Sequence, residues 1–149
     1  MKNEVCYDIE KFIFGGNAEF IILQENPHNG VETSARYRVS QCKDSPSLYF
    51  VHTERLGSKE LEFHGSLRFN KQGRCSYYKG KKVNNSYYNE KAIHALIWVL
   101  ANLRGGLPPY VHILHMGKCS RCGRKLVDRE SILYGMGPEC RKKEKGYIQ

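Results

Sequence analysis

The chain has 149 residues, 40% of them hydrophobic and 26% charged, with a formal net charge of +9. That length and apolar share suit one compact unit with a real core, and they exclude an intrinsically disordered chain, which combines low hydrophobicity with high net charge. No apolar run approaches the roughly 18 residues of a membrane span, and Met1-Lys2-Asn3-Glu4 leads into charge instead of a signal-type apolar stretch, so a soluble cytoplasmic protein is expected.

In chain order, short runs rich in aromatic and β-branched residues predict strands over 18–23, 34–39, 47–53, 60–69 and 74–79. Turn formers separate them: Asn26-Pro27-His28-Asn29-Gly30, Asp44-Ser45-Pro46, and Asn70-Lys71-Gln72-Gly73 as a hairpin tip. The alternation in Glu60-Leu61-Glu62-Phe63-His64 fits a half-buried strand, so the sheet is expected to have one wet face. The other face needs a cover. A helix over 89–103 supplies it, with Asn89 as cap, Glu90 in the first turn, and Ala92, Ile93, Leu96, Ile97, Leu100 and Leu103 at helical spacing. Gly105-Gly106 ends this helix and Pro108-Pro109 prevents its resumption, after which 110–114 reads as one more strand. The expected fold class is therefore α+β: an antiparallel β-sheet packed by one main helix over 1–109, and a small C-terminal metal lobe over 110–149 packed against it as one unit.

Six cysteines in a cytoplasmic chain point to metal or free thiols. Cys6, Cys42 and Cys75 stand alone, whereas Cys119, Cys122 and Cys140 have the spacing of a metal knuckle. Gly123 tolerates the positive φ of the tight turn after Cys122, and backbone amides there can donate to the thiolates. Pro138 suits the first position of a helix that would place Cys140 at its positive end, favouring the thiolate. This is the pattern of one structural zinc ion in a treble-clef or ribbon-like knuckle. Three sulfurs leave one tetrahedral position to fill. His115 is the favoured fourth ligand, because Gly117 lets the chain bend back toward the same ion. His112 is disfavoured by its place on the preceding strand. Asp128, Cys75 or a water remain as alternatives, and a water would make the site potentially catalytic.

The run Cys119-Ser120-Arg121-Cys122-Gly123-Arg124-Lys125-Leu126, then Ser131, then Gly135-Met136-Gly137-Pro138-Glu139-Cys140, resembles a family of small zinc-binding domains common in bacteriophages, prophages and actinobacterial genes, whose members read HxGxCxxCGRxL, a serine, then GxGPxC. His115 and Gly117 match the start of that pattern. The N-terminal Ile13-Phe14-Gly15-Gly16-Asn17-Ala18-Glu19-Phe20 and the segment Gly106-Leu107-Pro108-Pro109 resemble the phage members as well. The resemblance implies a metal and a phage setting, and it carries no activity.

Charge is concentrated. Residues 117–145 hold nine Lys or Arg against four acids, and 71–82 hold five against none. Clustered cations favour an anionic partner such as nucleic acid, although a solvated surface that keeps a small protein soluble explains them equally well. On the first reading Arg121, Arg124, Lys125, Arg141, Lys142 and Lys143 contact phosphates from the lobe. Lys71, Arg74, Lys79, Lys81 and Lys82 do so from the hairpin, with Tyr77 and Tyr78 stacking on bases, an arrangement suited to single strands. Ordinary packing is the competing role for Tyr77, Tyr78, Tyr87 and Tyr88. The alternative function is a phage-encoded inhibitor of a host defence nuclease complex (anti-CRISPR-like), acting on a nucleoprotein through a protein interface; no small-molecule substrate is expected. An enzyme is not expected: no P-loop, nucleophile elbow, HExxH or deaminase signature is present, and Glu130 and Glu139 have only proximity to recommend them.

Overall fold

The computed structural model describes residues 3–54, 60–81 and 87–143. Among these residues seven strands, β1 (Asn3–Glu4), β2 (Asn17–Glu25), β3 (Glu32–Gln41), β4 (Leu48–Glu54), β5 (Leu61–Phe69), β6 (Cys75–Lys79) and β7 (Val111–His115), form one antiparallel sheet in the order β1-β7-β2-β3-β4-β5-β6. β2 to β6 are a meander, and β7 returns to the far side of β2. The expected turns hold this meander together. Gly30 takes φ +71° after Asn26, whose side chain accepts from the His28 amide at 2.9 Å. Gly73 takes φ +78° at the β5–β6 tip, where Asn70 Oδ1 accepts from the amides of Gln72 and Arg74.

Four helices accompany the sheet among the described residues: α1 (Ile9–Ile13), α2 (Tyr87–Asn102), α3 (Arg129–Tyr134) and α4 (Pro138–Lys142). Only α2 is long. It begins two residues before Asn89, which therefore lies inside the helix and does not cap it. α1 and β1 escaped the sequence reading, because five and two residues are too few to show a period.

Alternation divides the sheet. Ala18, Phe20, Ile22, Tyr37, Val39, Tyr49, Val51, Leu67, Val111 and Ile113 point inward and are buried. Phe12 and Ile13 of α1 and Ala92, Ile93, Leu96 and Val99 of α2 cover them. The Tyr37 hydroxyl donates to the Ala92 carbonyl at 2.7 Å, so this buried phenol keeps a partner and pins α2 to the sheet. Between Val51 and His52 the β4–β5 register shifts, so His64 and Gly65 are buried in succession. A side chain at Gly65 would run into the Tyr77 ring and the Tyr78 carbonyl, which is why glycine stands there. The expected junction at 109/110 falls before a strand of this sheet; the cysteine lobe branches off only after His115. No helix among the described residues is long and apolar enough to cross a membrane.

Candidate metal centre and basic surface

β7 carries the chain directly into the knuckle. Gly117 (φ +80°) turns it, Lys118 pairs with Lys125, and the Cys119 amide donates to the Arg124 carbonyl at 2.8 Å, closing a tight hairpin around Cys122. Gly123 (φ +79°) donates to the Cys119 carbonyl, so the left-handed turn expected after Cys122 is present. Asp128 then caps α3, its carboxylate accepting from the Ser131 amide at 3.0 Å. Gly135 (φ +67°) ends α3, and Pro138 opens α4 with Cys140 as its third residue.

These turns gather Cys119, Cys122 and Cys140 with all three sulfurs within 4.8 Å of one another. Cys119 and Cys140 are buried and Cys122 is exposed. Amides of Arg121 and Gly137 both approach Cys119 Sγ at 3.5 Å. Thiolate ligands need such donors, so the donor set and its surroundings fit a metal ion. Burial opposes ionisation of Cys119, but amides of Cys122, Gly137 and Arg121 outweigh it and bring the thiol down to about 7. Cys140 is pushed up to about 11, first by burial and then by the two neighbouring sulfurs.

His115 is not among the gathered ligand atoms. Its Nδ1 accepts from the Gly117 amide at 2.9 Å, and its Nε2 therefore donates to the Ile132 carbonyl at 2.8 Å. Both ring nitrogens are engaged by backbone, and burial lowers the pKa, so this is a neutral histidine tying β7 to α3. To serve as the fourth ligand, His115 would have to give up one of these two backbone bonds. Cys75 drops out as well. It lies on β6, packs against the main core, and has its thiol raised to about 11, chiefly by burial. His112 faces away as expected, with Nδ1 2.8 Å from Glu4 Oε2.

The basic residues separate into two groups. Arg124, Lys125, Lys142 and Lys143 are exposed and make no ion pair among the described residues; Arg121 is half-buried. Arg141 is turned inward: it donates to the Met136 carbonyl at 2.7 Å and the Ser131 hydroxyl at 3.1 Å, reaches Glu130, and lies over the Tyr134 ring. It is a structural clasp and is unavailable as the phosphate contact expected of it. Ser131 thereby links the α3 cap to α4, a role that the Asp-x-x-Ser spacing at 128–131 signals only in part.

On the hairpin, Lys71, Arg74 and Lys81 are exposed, Lys79 pairs with Glu90 at 3.0 Å, and Lys82 lies outside the described residues. Tyr77 faces the core and hydrogen-bonds His64, so it is a packing residue instead of the expected base-stacking one. Tyr78 faces out and is 53% exposed.

Residues 112–145, from β7 through α4, match a protein family described as a family of unknown function (DUF6011). Neither the curated proteins nor the solved structures contain a significant match to the chain.

Proposed function

We propose that the protein is a small nucleic-acid-binding module whose C-terminal lobe is stapled by one structural zinc ion. Zinc is the metal that suits three clustered sulfurs in a tight knuckle with amide donors on the thiolates. The single observation that carries the binding role is the placement of charge: Arg124, Lys125, Lys142 and Lys143 stand exposed on the lobe with no carboxylate paired to them among the described residues. Unpaired surface cations release counterions when they meet phosphates, which gives salt-dependent affinity without base specificity. The resemblance to phage and prophage zinc domains supports a setting in which a small basic protein meets nucleic acid in a host cell.

The test is equilibrium binding of fluorescein-labelled oligonucleotides to the zinc-loaded protein between 50 and 300 mM salt, roughly the range where such contacts are titrated. The expected result is affinity that falls steeply with salt. Arg124→Glu with Lys125→Glu should weaken binding and flatten the log–log slope by about 0.7–0.9 per lost phosphate contact. A charge-reversed protein that binds with the wild-type slope overturns the assignment of the lobe. Capture of a stoichiometric host protein that survives nuclease, with no oligonucleotide binding, would replace this reading with the inhibitor one.

A further inference from the structure

Resting on the nucleic-acid reading, we infer that the uncovered face of the sheet is a base-stacking platform for single-stranded nucleic acid, centred on Phe63, Tyr78 and Phe50. The helices α1 and α2 lie on the inner face, so the outward side chains of β2 to β6 form a surface on which no other described element packs. Register places them. His52 of β4 stands opposite Phe63 of β5, and Phe50 of β4 stands opposite Ser66 of β5, which pairs in turn with Tyr78 of β6.

An aromatic therefore sits on each of three adjacent strands. Phe63 is 47% exposed and Tyr78 53% exposed. The Phe50 and Phe63 rings lie 6.2 Å apart edge to face, and His52 packs on Phe63 at 5.7 Å, so the edges are buttressed while ring surface remains open. One strand lies between Phe50 and Tyr78, two inter-strand spacings or roughly 10 Å, which makes them separate supports for bases instead of one stack.

Charge selects the occupant. On this face Arg36 and Arg38 are paired with Glu54 and Glu19, whereas Arg68 has its guanidinium 5.5 Å from the Tyr78 ring centroid and no carboxylate partner among the described residues. By sequence, residues 63–82 carry six Lys or Arg and no Asp or Glu. Exposed rings beside Arg68, Lys71 and Arg74, which have no carboxylate partner among the described residues, match a ligand that offers π-faces and phosphates together. A duplex offers phosphates but keeps its bases stacked on one another, so single strands are the occupant that uses the rings. The hairpin basics Lys71 and Arg74 then track the backbone at the edge of the platform.

The experiment compares labelled 20-nucleotide single strands, DNA and RNA, with a duplex of the same sequence, on the zinc-loaded full chain and its variants Phe63→Ser, Tyr78→Ser and Tyr78→Phe. Both sites are exposed, and circular dichroism checks that each variant folds. Each serine variant should weaken single-strand binding roughly 5- to 100-fold while duplex affinity stays within about twofold of wild type, and Tyr78→Phe should retain single-strand affinity. A fall in single-strand binding that Tyr78→Phe does not restore overturns the stacking role, as does an equal loss for duplex. Serine variants that bind single strands as the wild type does would overturn the platform and leave binding through Arg124 and Lys125 standing. Wild-type protein that binds neither form overturns both. A self-association that Phe63→Ser abolishes, with nucleic-acid affinity unchanged, would make the face an interface between copies and overturn the platform.

Discussion

The sheet and the cysteine lobe are built on different physics within one chain. Among the described residues, eighteen buried hydrophobic residues make the sheet core, from Val5 to Ile113, whereas the lobe's buried hydrophobic cluster consists of Cys119, Leu126, Met136 and Cys140. Fully burying a large apolar side chain contributes about 1.5–3 kcal/mol, so the larger cluster supplies several times the hydrophobic stabilisation of the smaller one. Two of the four residues in that smaller cluster are the cysteines themselves. On the proposed reading, a region that small holds its shape through a metal, through capped turns such as Asp128 on α3, and through the seam with the larger core.

The sharpest way to break this comparison is to remove a sulfur. Cys119→Ser should abolish stoichiometric zinc binding and unfold residues 117–143, because metal binding supplies on the order of 10 kcal/mol in isolated small zinc domains. The sheet should survive. Trp98, the chain's single tryptophan, lies on α2, so its fluorescence reports the sheet alone, while limited proteolysis at the exposed lobe basics reports the lobe. Unchanged metal content by elemental analysis together with an intact lobe would refute the assigned centre. Leu96→Ala is the reciprocal change. It deletes a fully buried side chain between α2 and the sheet and should cost about 2–5 kcal/mol in the urea unfolding of Trp98, with zinc content unchanged.

A change at the seam comes next in size. Gly135 ends α3 at φ +67° and sits against the Phe12 ring of α1, where any side chain would collide. The seam also carries the Asn17 amide donating to the Ser120 carbonyl at 2.7 Å and the Cys6 amide donating to Leu133. Gly135→Ala combines left-handed strain with that collision and should destabilise by about 1–3 kcal/mol. Both reporters, Trp98 fluorescence and lobe proteolysis, should move together. Loosening of the lobe alone would mean that the seam transmits nothing to the sheet.

The two regions also differed in how much of them the sequence revealed. Five meander strands, the return strand and α2 were legible because alternation and helical spacing run over five or more residues there, and the observed bounds differ by at most two residues. The cysteine triad was legible from spacing alone. What stayed hidden was pairwise: which backbone groups His115 would meet, that Arg141 would fold back onto Ser131 and Met136, and that Tyr77 and Tyr78 would face opposite ways. The last of these follows from the period of two once the register is known, since Leu67 opposite Tyr77 is buried and Ser66 opposite Tyr78 is not. Ligand choice and basic-surface membership depend on such partners, and no local pattern encodes them.

The smallest expected effect concerns pH. Burial lowers the pKa of His64, which sits in the sheet core with Nδ1 on the Tyr77 hydroxyl and Nε2 without a partner. A depressed histidine binds a proton more readily when the chain is unfolded. Its contribution to stability is therefore complete above the unfolded value near 6.5 and declines as pH falls below it, through the lower folded value. The urea midpoint read from Trp98 should be nearly level from pH 8 to 7 and then fall toward pH 5, and His64→Gln should fall less over the same interval. The lobe should answer to acid by another route, because protons compete with metal for the thiolates and zinc affinity rises with pH. Zinc release on acidification should follow the same curve in wild type and His64→Gln, since the sulfurs and not His64 set it. A release curve displaced by His64→Gln would show that the two regions titrate as one.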